Sequence, residues 1–323
     1  MSTFKKFIHI IFLLLFALGT QALAAEKEAT TWNLLHDIPA EAIPFGHSHD
    51  YGIGEWDIHF GNHRALVTVE KDCGAAAVRV AWRRRDIWPE RKNVMIYDPV
   101  KKQVVDNRVV LRINREFADI VFEPTSGAGT YEIYYLQWDP KAGEGYKIAD
   151  QLKGPFPITR YFKPAETASA DWLQKNKLTQ ATDASAQLNV LPKATVKAIE
   201  ALAVSGPKSQ REFNSFFPME IIATEKETND FVKKHAKGNP FVLFPEDRTN
   251  PIKMPEDLPL NWITRGLQKS FSGTADKNEF YVFQIGVYAL DSLKDVSISF
   301  SGIKGGITIP ASAFRCFNMG GVD

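Results

Sequence analysis

The sequence predicts a mostly β chain with a few helices: two β-sandwich-like domains joined by a helical linker, the second incomplete by its strand count. Three observations predict it. Six short runs rich in β-branched and aromatic residues lie between positions 65 and 138, each bounded by turn residues. An Ala-, Lys- and Thr-rich stretch with few bulky side chains follows over 166–204. Strand-like runs then resume after Phe217. The expected organisation is a signal peptide over 1–24, a first domain over 25–165, a linker over 166–212 and a second domain over 213–323.

At the N-terminus, Lys5 and Lys6 precede an apolar run over 7–18 broken only by His9, and Ala22-Leu23-Ala24 supplies the small-x-small pattern that a signal peptidase reads. The run is shorter than the roughly 20 residues needed to cross a bilayer core. The expectation is export to a periplasm or the outside, a mature chain beginning near Ala25, and no membrane attachment after cleavage.

The first domain opens with Ala65-Leu66-Val67-Thr68-Val69, followed by strand candidates over 77–82, 93–97, 109–113, 120–122 and 131–136. Asp72-Cys73-Gly74, Asp98-Pro99, Asp106-Asn107 and Ser126-Gly127-Ala128-Gly129 separate them with residues that favour turns. Six strands at this spacing read as an antiparallel sandwich. In the linker, Val196, Ile199, Leu202 and Ala203 recur at helical spacing after Pro192, and Gly206-Pro207 stops the run, so a helix is expected there.

The second domain begins with a strand candidate, Pro218-Met219-Glu220-Ile221-Ile222-Ala223, which runs into Thr224-Glu225-Lys226-Glu227. That spacing is a capping box: the Thr hydroxyl and the Glu carboxylate satisfy free backbone donors of a helix expected to reach about His235 and stop at Gly238. A buried strand is expected at Phe241-Val242-Leu243-Phe244, with further strands over 280–290, 296–300 and 307–309. These are few for a closed sandwich, so the chain is expected to be part of something longer.

Composition narrows the function classes. With 39 Lys and Arg against 38 Asp and Glu, the formal charge is +1, and no global field attracts a polyanion, so nucleic acid is not an expected partner. Cys73 and Cys316 are the only cysteines, and each lies in an apolar run; two separately buried thiols are preferred over a single disulfide tying the chain ends together.

Four constellations bear on chemistry. His47, His49 and Asp50 form a His-x-His cluster, with His59 and His63 nearby; two imidazoles on one strand face suit zinc, but His235 is the only histidine farther along to complete a catalytic set. No cofactor is expected, and a metal-dependent hydrolase at this cluster is kept as an alternative. Arg83-Arg84-Arg85, between Trp82 and Trp88, offers guanidinium forks for a sulfate or carboxylate on a glycan. Trp56, Trp82, Trp88, Tyr134, Tyr135 and Trp138 are large rings of the kind that stack on sugars, although sandwich cores consume the same residues. From these two sets Trp82, Arg84, Trp88 and Trp138 are the carbohydrate-binding candidates, and a stand-alone carbohydrate-binding module is a second alternative. Glu246-Asp247 is the most conspicuous acidic pair and reads as part of a turn beside Arg248; no Gly-x-Ser-x-Gly elbow is present.

Taken together, Gly61-Asn62-His63-Arg64-Ala65, Trp82-Arg83-Arg84-Arg85-Asp86, Ile113-Asn114-Arg115-Glu116-Phe117, the run over 131–135, Glu212-Phe213-Asn214-Ser215-Phe216-Phe217-Pro218-Met219-Glu220, Phe244-Pro245-Glu246-Asp247-Arg248, Phe283-Gln284-Ile285-Gly286-Val287-Tyr288, and Pro310-Ala311-Ser312 with Cys316-Phe317-Asn318 resemble the N-terminal region of glycoside hydrolase family 123-like proteins. The resemblance implies a β-sandwich-like region preceding a catalytic barrel. It also implies β-N-acetylgalactosaminidase activity, in which an Asp orients the substrate's acetamido group and an adjacent Glu protonates the leaving oxygen. This chain has no Asp-Glu dipeptide; Glu246-Asp247 and Glu256-Asp257 run in the opposite order. No catalytic residue is carried over. The resulting expectation is a non-catalytic module whose partners are a glycan containing N-acetylgalactosamine and a C-terminal catalytic barrel.

Overall fold

A computed structural model describes residues 51–57, 60–61, 63–85, 89, 93–137, 168–202, 219–252, 254, 256–294, 296–305 and 308–317. The chain divides into two compact units, one built from Ala24–Phe217 and one containing Pro218–Asp323.

In the first of these, nine strands among the described residues form two sheets. They are β1 (Tyr51–Gly54), β2 (His63–Val69), β3 (Ala76–Val80), β4 (Asn93–Asp98), β5 (Gln103–Val104), β6 (Arg108–Ile113), β7 (Ala118–Phe122), β8 (Gly129–Gln137) and β9 (Ala194–Leu202). The larger sheet has the order β1-β9-β2-β8-β4-β5 and the smaller the order β3-β7-β6. All pairs are antiparallel except β1 with β9. Strand β2 alternates strictly, sending Ala65, Val67 and Val69 inward and Arg64, Leu66 and Thr68 outward, as a sheet with one buried face requires. The inward residues of both sheets share one core, with Val67, Ile96, Ile133 and Tyr135 meeting Val78, Ile120 and Phe122. This is the sandwich the strand spacing predicts.

A third layer covers the smaller sheet. Helices α1 (Ala170–Lys175) and α2 (Ala181–Val190) bury Trp172, Ala184 and Leu188, with Leu178 between them, against Ala77, Leu111 and Val121. Ser169 caps α1 by accepting from the Trp172 N–H, and Trp172 Nε1 donates to the Gly74 carbonyl at 3.0 Å. The same side of the sheet carries a buried ion triad. Asp119 accepts from Arg79 Nε at 2.6 Å and from Arg112 Nη2 at 2.7 Å, and both guanidinium groups lie over the Phe117 ring. Among the described residues, no helix packs on the outer face of the six-stranded sheet.

The second unit is built on a two-stranded antiparallel ribbon, β10 (Phe241–Asp247) with β11 (Phe283–Ala289). One side of it packs on helices α3 (Glu225–His235) and α4 (Leu260–Arg265) through Val242, Phe244, Phe231 and Trp262. The Phe244 and Trp262 rings stack 4.4 Å apart. The Thr224 to Glu227 capping box forms as predicted, with both reciprocal hydrogen bonds present. A short hairpin, β12 (Ile303–Lys304) with β13 (Thr308–Ile309), follows.

Five expectations are corrected. The helix read after Pro192 is strand β9, an interior strand of the large sheet. A bulge explains the error: Leu66 pairs with Ala198 but Val67 pairs with Val196, so one extra residue sets the core-contacting Val196 and Ile199 three apart instead of two, which imitates a helical period. The strand read at 218–223 reduces to a single bridge, Ile222 to Pro259, and 296–300 forms no strand. The segment starting at Phe241 is a half-buried strand, since Phe241 and Leu243 are exposed while Val242 and Phe244 are buried. Both cysteines are free thiols, Cys73 half-buried and Cys316 exposed, in place of the two buried thiols expected.

Candidate functional site

The outer face of the six-stranded sheet gathers polar and aromatic side chains that the sequence scatters. Register does this: Arg64 on β2 pairs with Tyr134 on β8 and with Glu200 on β9, while Met95 and Tyr97 on β4 pair with Tyr134 and Glu132. All of these therefore project to one side. The turn after β1 adds Trp56 and Phe60.

Arg64 is the hub. Its Nε donates to Glu200 Oε2 at 2.7 Å and its Nη1 to Glu132 Oε1 at 3.2 Å. Glu132 Oε2 also accepts from the Tyr134 hydroxyl at 2.7 Å. The Trp56 ring lies over the guanidinium, 4.5 Å from its carbon, and meets Tyr134 edge-on. Trp56 Nε1 is held by the Gly61 carbonyl at 2.8 Å, which fixes the ring plane. Phe60 stacks on Tyr134 with centroids 4.8 Å apart and tilts against Tyr97. Gly54 is required at the base of the cluster, because a Cβ there would stand 2.7 Å from the Trp56 ring and would collide with the Glu200 carboxylate.

The electrostatics keep these groups in fixed charge states. Burial works against the Arg64 charge, but hydrogen bonds to Glu200 and Tyr134 and the nearby negative charge outweigh it, and the guanidinium holds its proton more firmly than usual. Burial, reinforced by Glu132, pushes the Tyr134 phenol above its ordinary range. Burial also raises Tyr97. Tyr134 is therefore a hydrogen-bonding phenol, not a base. The two carboxylates share one guanidinium as their hydrogen-bond donor. What the arrangement supplies is an ion-pair network beside half-exposed rings of Trp56 and Tyr97, a surface suited to hydroxyl groups on one side and C–H faces on the other.

The residues singled out from the sequence fall elsewhere. Trp82 is wholly buried, stacked on Tyr135 at 4.9 Å with its Nε1 donating to the Asn114 carbonyl, so no ring face is left for a sugar. Arg84 is buried, and its backbone N–H pairs with the Arg115 carbonyl. Strand alternation fails at this point because Arg83 has φ of 50°, in the left-handed region. Trp88, Trp138, His47, His49, Asp50 and His59 lie outside the described residues, as does the stretch over 1–24 expected to be a signal peptide. His63 is buried beside Tyr135, and His235 closes α3. Among the described residues, no group of three or more His, Cys, Asp or Glu is placed to hold a metal.

Glu246 and Asp247 do serve a turn. Glu246 is buried and accepts from Trp262 Nε1 at 2.8 Å, Arg265 Nη2 at 3.0 Å and Asn250 Nδ2 at 3.0 Å. Asp247 accepts from the Thr249 N–H and the Tyr281 hydroxyl, with Arg248 lying over the Tyr281 ring. Of the site residues, Trp56 and Tyr134 belong to the aromatic set visible in the sequence. Arg64, Glu132 and Glu200 were missed; alternation along β2 and β8 could have placed the first two, while the helical reading of β9 hid the third.

The comparisons bear on the same unit. Residues 54–202 match the family described as Glycoside hydrolase 123, N-terminal domain. No curated protein and no solved structure matches the chain. The matched span runs from the last residue of β1 to the last residue of β9 and contains every member of the Arg64 cluster. Over this sandwich the chain is similar to the N-terminal region of glycoside hydrolase family 123-like proteins, a likeness that points to a glycoside hydrolase-associated module.

Proposed function

We propose that this chain is an exported, non-catalytic module that holds glycan containing N-acetylgalactosamine for a catalytic barrel, using the outer face of its six-stranded sheet. The observation that carries the proposal is the family match over 54–202, which encloses a sandwich whose larger sheet bears Trp56, Arg64, Glu132, Tyr134 and Glu200 on its outer face. A sugar needs an aromatic plane for its C–H face and fixed acceptors and donors for its hydroxyls, and this face supplies both on neighbouring strands. The carboxylates tied to Arg64 argue against hydrolysis by the module itself.

Calorimetric titration of the mature chain with oligosaccharides ending in N-acetylgalactosamine tests the proposal. Binding is expected, without sugar release, and Trp56→Ala should weaken it at least tenfold, about 1.4 kcal/mol. No heat of binding at millimolar oligosaccharide, or turnover at enzymatic rates, refutes it.

A further inference from the structure

The guanidinium of Arg64 is engaged within its own cluster. Its Nε and Nη1 donate to Glu200 and Glu132, a further hydrogen bond links it to Tyr134, and the Trp56 ring lies over its carbon. A sulfate or carboxylate ligand is gripped by two parallel N–H groups of such a fork, and here Nε and Nη1 already serve carboxylates of the chain. The basic run that suggested anion recognition offers no replacement, because Arg83 and Arg84 are buried.

Among the described residues, the other charges nearest the half-exposed rings are negative. Glu55 and Asp57 flank Trp56 and are exposed. Burial, and then the negative charge of Glu132 and Asp98, raises the Tyr97 phenol. Within the cluster, one positive and two negative charges leave a formal −1. Lys197, farther toward the start of β9, is paired with Glu70 at 3.8 Å. The side chains of Arg64, Glu132 and Glu200 are 13%, 19% and 16% exposed. Solvent therefore reaches them, yet it screens them less than it would charges on an open surface.

We propose that this face selects uncharged sugars and turns away glycans carrying sulfate or carboxylate on the sugar that meets Trp56 and Tyr97, with Glu132 and Glu200 as the residues that discriminate. The inference rests on the glycan reading above and adds its substrate class. Hydroxyl and acetamido groups are accepted, since carboxylates take hydrogen bonds from O–H and N–H donors. An anionic substituent meets two carboxylates at short range with its natural donor already engaged, and such like-charge contact is how a surface rejects the wrong ligand.

Calorimetric titration of the mature chain with an oligosaccharide ending in N-acetylgalactosamine, and with the same oligosaccharide sulfated on that sugar, is the test. The neutral form should bind at least tenfold more tightly in about 0.02 M salt. The gap should shrink in about 0.5 M salt, where the screening length falls to about 4 Å. Glu200→Gln removes one negative charge and keeps an amide oxygen that accepts from Arg64, so it should narrow the gap by about threefold or more. Glu132→Gln should act in the same direction. Unchanged circular dichroism spectra and melting temperatures show that both variants fold, and the salt series needs no variant at all. Equal affinities, tighter binding of the sulfated form, or a gap indifferent to salt and to both substitutions overturns this inference and leaves the glycan reading standing. Absence of binding by either form overturns the glycan reading and this inference with it.

Discussion

Removing the Asp119 carboxylate is the sharpest test of how the first unit is held together. Asp119 has no exposure, and it accepts four hydrogen bonds: from Arg79 at 2.6 and 2.9 Å and from Arg112 at 3.0 and 2.7 Å. Charge-assisted bonds contribute about 1.5–3 kcal/mol each, but four sharing one carboxylate are not additive. The governing quantity is the cost of leaving two buried guanidinium groups without this counter-charge, about 3–5 kcal/mol. Against a total stability of about 5–15 kcal/mol, Asp119→Ala should remove a third or more of what holds the sandwich, and lower its melting temperature by about 10 °C. Urea unfolding followed by far-ultraviolet circular dichroism measures the loss. A triple replacement, Arg79→Met, Asp119→Leu and Arg112→Met, should recover most of it, because the cost arises from unpaired charge and not from lost packing. A loss below about 1 kcal/mol for Asp119→Ala refutes the reasoning.

Two further outcomes follow from the same physics. Desolvation favours the protonated form of Asp98, but hydrogen bonds from Thr125, Ser126, and the Lys101 and Val100 N–H groups outweigh it and hold the carboxyl below its ordinary range; the same contest, won by Asn250, Trp262, the Asp247 N–H and Arg265, holds Glu246 low in the second unit. Folded values below unfolded ones give stabilisation that is complete above about pH 5 and is lost as pH falls below about 4, and Asp98→Asn should flatten that loss for the first unit in acid melts. In the second unit, a Cβ on Gly286 would collide with the Trp262 ring, so Gly286→Val should cost about 1–3 kcal/mol by overpacking, seen as an earlier change in the fluorescence of Trp262 on urea titration.

Much of the fold was legible because the first unit is patterned locally. Runs such as Ala65-Leu66-Val67-Thr68-Val69 alternate with a period of two, and turn residues punctuate them, so six strands could be placed before any contact was known. The capping box at Thr224 was legible for the same reason, since it closes within four residues. The failures share a cause. The extra residue in β9 shifted its buried positions from a period of two toward three, and only the pairing with β2 reveals it as a bulge. Trp82 and Arg84 drew notice as glycan-binding candidates because a basic run lies between two large rings, yet the left-handed turn at Arg83 and the stack on Tyr135 put them inside.

The candidate site was the least legible part. Its charged members stand at positions 64, 132 and 200, on strands that are far apart in sequence and adjacent in the sheet. By itself the sequence determined the β-rich class, the strand runs and turns of the first unit, the capped helix of the second and the family resemblance, because each rests on residues a few positions apart. Only the tertiary structure decided which side chains meet on the outer face of the larger sheet, that Arg64 binds two carboxylates there, and which aromatics are core. Those facts depend on strand order and register, and pairing energies between distant strands leave no periodic mark in the chain.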